Sequence, residues 1–226
     1  MRLRRRAAAD RTGKRLVWQA SSLLLAYPDA RQPDRLATIR QVLGFLPPED
    51  ADRLGVTLGY LQSTDPIEAA TRYVDTFDMR RKTTLLLTYW TDGDTRNRGS
   101  AMLAFADAYR AAGARPPEGE TPDHLAVVLE FAATVDAEAG ERLLVAHRTA
   151  VDMLASALHE SGSPYAAVLD AVSRTLPAAT ARDEQRAREL AMAGPPAEAV
   201  GLQPFTLTVP PRRTDATRIP RREGTR

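Results

Sequence analysis

From Leu16 to Leu176 the apolar residues recur at spacings of three and four. That spacing lays one apolar stripe along a helix, whereas a half-buried strand needs alternation at every second residue. Leu16, Trp18, Ala20, Leu23, Leu24 and Tyr27 define a helix from Lys14 that Pro28-Asp29 ends. Leu36, Ile39, Val42 and Leu43 repeat the pattern between Pro33 and Phe45, and Pro47-Pro48-Glu49-Asp50 opens a helix striped by Leu54, Leu58 and Leu61. Ser63-Thr64-Asp65-Pro66 predicts a further start, with Asp65 as N-cap, Pro66 in the first turn, and Ile67, Ala70, Val74 and Phe77 behind it.

A short helix is predicted over Thr83–Trp90, then a polar loop over Thr91–Gly99 and a helix with Met102, Phe105, Ala106 and Tyr109 that Gly113 closes. Thr121-Pro122 predicts the next start, with Leu125, Val128, Leu129 and Ala132 inward. Glu141–Glu160 reads as one long helix through His147, and Ser163-Pro164 begins a helix running to Leu176. Only PFTLTV at 204–209 alternates at period two, and no internal repeat is visible. The expectation is an all-α, single-domain bundle of roughly eight helices over residues 14–190. A basic tail (1–13) and a Pro/Arg-rich tail (191–226) flank it, both expected to be mobile.

Charge separates body from tails. Residues 1–15 hold seven cations against Asp10, a balance of +6, and residues 212–226 hold six arginines against Asp215 and Glu223, a balance of +4. With a total of +2, the body at 16–211 carries −8. An acidic body disfavours nucleic acid as its main ligand, because phosphate binding needs cations on the folded surface. A regulator that binds nucleic acid through its arginine tails is the alternative from another class. No stretch has the ~18–20 apolar residues of a membrane span, and the N-terminal arginines are not followed by an export-signal pattern, so a cytoplasmic protein is expected.

The absence of cysteine removes thiol chemistry and cysteine-ligated metal. There is no HExxH, no GxGxxG and no GxxxxGK[ST], and no histidine pair has metal-ligand spacing. His147 falls on an apolar stripe and His159 near a helix C-terminus, both ordinary structural places. No catalytic residue, metal or cofactor is assigned, and an enzyme is not expected.

What remains is the stretch from Tyr73 to Phe131, which holds Tyr73, Phe77, Tyr89, Trp90, Pro122, Asp123, His124, Glu130 and Phe131. On an ideal helix Asp123 and Glu130 lie within about 20° of one another and about 10.5 Å apart along the axis, with His124 and Phe131 on the adjoining stripe. Such a wall of acids beside apolar groups suits a basic amphipathic helix. Aromatics at helical spacing are more often core than binding surface, Asp123 can simply complement a helix N-terminus, and Asp75 and Asp78 beside Arg80, Arg81 and Lys82 read by default as a solvated face.

YVDTFDMRRKTTLLLTYWTDGDTRNRG, followed by FADAYRAAG and ETPDHLAVVLEFAA and preceded by VWQASSLLLAYPD, closely resembles the NarJ-type nitrate reductase molybdenum cofactor assembly chaperones, within a wider all-α family of molybdenum oxidoreductase chaperones. The resemblance spans roughly Leu16 to Leu176. It implies a chaperone that binds the N-terminal peptide of the catalytic subunit, assists cofactor insertion, delays membrane docking and stays out of the final enzyme. It also implies a leader-recognition role for Pro122, Asp123 and His124, although nitrate-branch members commonly carry an aromatic where His124 stands. A chaperone of another molybdenum oxidoreductase is the near alternative.

Overall fold

The computed structural model describes residues 2–93 and 96–194, with side chains from Asp10 onward. Among these residues the chain forms eleven α-helices and no strand beyond a single bridge. They are α1 (Arg2–Leu25), α2 (Gln32–Leu43), α3 (Pro48–Ser63), α4 (Pro66–Tyr73), α5 (Leu87–Asp92), α6 (Arg96–Ala111), α7 (Leu125–Thr134), α8 (Ala137–Ala146), α9 (Arg148–Glu160), α10 (Ala166–Thr175) and α11 (Ala181–Ala193). No helix among the described residues is long and apolar enough to cross a membrane. The PFTLTV segment and the C-terminal arginines lie outside the described residues.

The centre is α7. Eight of its ten residues are buried, from Leu125 to Ala133 with Glu130 the exposed exception among them. A helix apolar nearly all round must be covered on every side. Helix α1 covers one side: the Ser22 hydroxyl donates to the Ala126 carbonyl at 2.8 Å and Arg15 Nε donates to the Ala133 carbonyl at 2.7 Å. Helix α8 covers another by approaching at Gly140. A Cβ there would stand 2.3 Å from the Ala132 Cβ, so only glycine admits this approach. Helix α10 packs on α1, α3 and α9, with the buried Trp18 indole donating to Thr175 Oγ1 at 2.8 Å.

Local signals place several ends where the residues predict them. Asp65 caps α4, accepting from the Ile67 and Glu68 N–H groups, and Gly113 takes a left-handed φ of 71° after α6. Other expectations fail. The predicted Glu141–Glu160 helix begins earlier, at Ala137 capped by Asp136, and breaks at His147. There the ring packs on Phe105 at 4.7 Å, and Nδ1 lies 2.9 Å from the Leu143 carbonyl, which also accepts the His147 N–H at 3.1 Å.

The predicted starts at Thr83 and Thr121-Pro122 move to Leu87 and Leu125 for a shared reason. Residues 85–87 and 123–125 pair in an antiparallel bridge of Leu86 with His124, closed by Leu87 N–H to the Asp123 carbonyl (3.1 Å) and Leu125 N–H to the Leu85 carbonyl (2.8 Å). Those groups satisfy each other in extended backbone instead of joining a helix. The first helix also reaches back to Arg2, beyond the predicted start at Lys14.

Candidate functional site

The extended pairing brings Asp123 to the first turn of α5. Its Oδ2 accepts from the Thr88 N–H at 3.2 Å and from the Thr88 hydroxyl at 2.5 Å, and Arg98 of α6 approaches it at 3.7 Å. Arg98 Nε also donates to Thr88 Oγ1 at 3.2 Å. Asp123 is fully buried, and its Oδ1 has no hydrogen-bond partner among the described protein groups. A carboxylate at a helix N-terminus complements both the unpaired N–H groups and the dipole. Asp123 therefore pins α5, α6 and the loop before α7 at one point.

Its neighbours share this arrangement. The Pro122 carbonyl accepts from the Tyr109 hydroxyl at 2.6 Å, and the Tyr109 ring meets Phe131 at 4.5 Å. His124 is half-buried and occupies the N-cap position of α7 without capping it, and its Nδ1 is buried without a partner. Burial lowers the His124 pKa below its ordinary value, while the Glu120, Asp123 and Asp78 carboxylates oppose that shift. Because Asp123 and His124 precede α7, the helical stripes expected to join Asp123 with Glu130 and His124 with Phe131 do not form. Asp123 is interior and Glu130 is exposed.

The predicted aromatics divide similarly. Tyr73 and Phe77 are buried and stack at 4.7 Å, each also meeting Tyr165. The Tyr73 hydroxyl donates to the Leu25 carbonyl at 2.9 Å, and burial raises its pKa far above the ordinary value. Trp90 is buried with Tyr89 half-buried beside it, the two rings edge-on at 6.4 Å. Asp75, Asp78, Arg80, Arg81 and Lys82 are all exposed. Phe131 is buried as well, but it borders open space.

Two concavities reach this stretch. A pocket of about 210 Å³ lies between the 114–117 loop and α7, walled by Tyr109, Val127, Glu130, Phe131 and Val135. A larger open groove, about 690 Å³, lies between the turn after α1 and helix α4, walled by Tyr27, Pro28, Pro66, Ile67, Val74 and Asp75 among others. Sequence reasoning assigns Ile67 to the inward stripe of α4, yet Ile67 is 79% exposed. The stripe that turns inward is Ala69, Tyr73 and Phe77, at spacings of four. Ile67, Ala70 and Val74 form a second apolar stripe, and that doubling was the available sequence signal.

Among the described residues no group of three His, Asp or Glu side chains could hold a metal ion. The half-buried His147 is held below its ordinary pKa mainly by loss of hydration, and His159 pairs with Asp170 at 2.9 Å on the surface.

Comparison with known proteins gives the same outline. The family model described as "Nitrate reductase delta subunit" matches residues 32–171. The chain is 56% identical over 160 residues to the nitrate reductase-like protein NarX of Mycobacterium tuberculosis (strain ATCC 25618 / H37Rv), covering 71% of this chain but only 24% of that relative. It thus spans about a quarter of the length of that relative. It is 33% identical over 162 residues to the probable nitrate reductase molybdenum cofactor assembly chaperone NarJ of Bacillus subtilis (strain 168), covering 70% of this chain and 86% of the relative. It is 33% identical over 171 residues to the nitrate reductase molybdenum cofactor assembly chaperone NarJ of Escherichia coli (strain K12), covering 74% and 72%. The latter two are named as assembly chaperones and not as catalysts. With the matched region running from α2 into α10, the chain belongs to the nitrate reductase delta subunit family of molybdenum cofactor assembly chaperones.

Proposed function

We propose that this chain is a chaperone dedicated to a respiratory nitrate reductase. In this reading it binds the N-terminal peptide of the catalytic subunit, holds that subunit for molybdenum cofactor insertion, delays its docking at the membrane, and leaves before the enzyme is complete. The observation that carries the reading is the alignment over 70% of this chain with a relative named as a probable cofactor assembly chaperone, 86% of whose length is matched. The acidic body and the open apolar surface near Tyr73–Phe131 support a guest that is basic and amphipathic.

The nine residues singled out in the sequence take two parts in this proposal. Glu130, Phe131 and Tyr89 offer contact, because they are exposed, open to a pocket or half-buried. Tyr73, Phe77, Trp90 and Asp123 fix the surface from beneath, and the half-buried Pro122 and His124 stand at its edge. Apolar anchors should dominate affinity, since exposed ion pairs contribute only ~0.2–1 kcal/mol each.

Co-purification of the full chain with the catalytic subunit, with and without the subunit's N-terminal peptide, tests the reading. Loss of association on removing the peptide is the expected result. Association that survives its removal, or none with the intact subunit, overturns the peptide-binding reading.

A further inference from the structure

Helix α1 is longer than the body requires. Its described interior residues begin at Val17 and Trp18, whereas Asp10, Arg11 and Thr12 are exposed, yet the helix runs unbroken back to Arg2. Its course is set by α7. The Ser22 hydroxyl donates to the Ala126 carbonyl and Arg15 Nε to the Ala133 carbonyl, so the two helices lie antiparallel. Arg11, Thr12 and Arg15 then wall a concavity against Val135, Asp136, Ala137 and Glu138, the turn from α7 into α8. Residues 2–10 carry the helix axis on past that turn.

This extension is basic. Arg2, Arg4, Arg5, Arg6 and Arg11 stand against Asp10, a balance of +4 over residues 1–13, while the body carries −8. At about 1.5 Å per residue, Arg6 and Arg2 lie about 8 and 14 Å beyond Arg11 along the axis. Those distances are one to nearly two screening lengths at physiological salt. The helix is thus a spacer: its cations can meet an anionic surface while the acidic body stays outside the range of strong repulsion. The stretch has no aromatic side chain to stack on bases and no Asn or Gln to read adenine, whereas lipid headgroups ask only for charge. It also lies outside the family match at residues 32–171, so it belongs to this chain and not to the shared domain.

We propose that residues 2–11 of α1 form a peripheral, reversible contact for an anionic bilayer surface, with the acidic body held away from it. Its use rests on the function proposed above, since it would bring the chaperone and its client to the surface where that client docks. The contact itself does not depend on that reading.

The test is co-sedimentation of the full chain with vesicles of phosphatidylcholine alone or mixed with phosphatidylglycerol. Binding to the mixed vesicles only, falling steeply with salt, is the expected result. Each lysine or arginine at such a surface contributes roughly a fivefold gain in binding. Replacing four together (Arg2→Gln, Arg4→Gln, Arg5→Gln and Arg6→Gln) should therefore weaken binding at least about a hundredfold. Glutamine keeps the helix propensity, and the four positions precede the interior stretch that starts at Val17, so thermal melts should match wild type. Two other cation groups serve as controls: the exposed Arg80, Arg81 and Lys82, and the six arginines of residues 212–226, each group replaced by glutamine. The proposal stands if the α1 replacement gives the largest loss. A larger loss from either control, or no binding of wild type to the mixed vesicles, overturns it and leaves the chaperone reading intact, because association with the catalytic subunit is measured separately. Displacement from the vesicles by duplex DNA at equal phosphate concentration overturns it in favour of a nucleic acid.

Discussion

Replacing Asp123 with alanine isolates the joint on which this structure depends. The substitution removes the acceptor of two hydrogen bonds from Thr88, at 3.2 and 2.5 Å, and the carboxylate 3.7 Å from Arg98. Hydrogen bonds to a charged group contribute about 1.5–3 kcal/mol each. Because both share one oxygen, the pair is better set at about 3–4 kcal/mol. Against that, the mutation relieves the burial of Oδ1, which has no partner, worth about 1–3 kcal/mol. The net expectation is a loss of about 2 kcal/mol, with a lower urea midpoint and an unchanged denaturant slope. Asp123→Asn keeps an acceptor for the Thr88 N–H and should lose less. A double-mutant cycle with Thr88→Val should show coupling above about 0.5 kcal/mol, as residues in one network do. A loss below about 0.5 kcal/mol with no coupling would refute the view that Asp123 pins α5 to α7, whatever its value to a partner.

Gly140→Ala should destabilise by about 1–3 kcal/mol or more, because its Cβ would overlap Ala132 on α7, and thermal melts that match wild type would show the two helices are free to separate. Acidification gives another expectation. Burial holds His124 and His147 below their ordinary pKa of 6.5, so the unfolded chain takes up protons first as pH falls. Their contribution to stability is complete above about pH 6.5 and declines as pH drops toward the folded-state values. Urea midpoints at pH 7.5 and 5.5 should therefore differ in wild type and differ less in a His124→Gln/His147→Gln variant; an equal drop in both would refute the assignment.

The sequence alone determined that the chain is helical, where most of its helices lie, and which family it resembles. Those properties live in local chemistry: three-and-four spacing, prolines in first turns, Asp65 as a cap, Gly113 as a stop. The tertiary structure decided what no local pattern encodes. A predicted helix is interrupted at His147, where the ring packs on Phe105 of the remote α6. Asp123 and His124 stay outside α7 because residues 85–87, remote in sequence, take the Asp123 carbonyl and the Leu125 N–H. That removal turned an expected outward acidic wall into an interior joint. On α4 the sequence offers two apolar stripes and cannot rank them. Packing against Tyr165 and Leu25 chose Tyr73 and Phe77 for the core and left Ile67 to the groove. Side-chain period fixes which residues share a face, but only the neighbouring helices determine which face is covered.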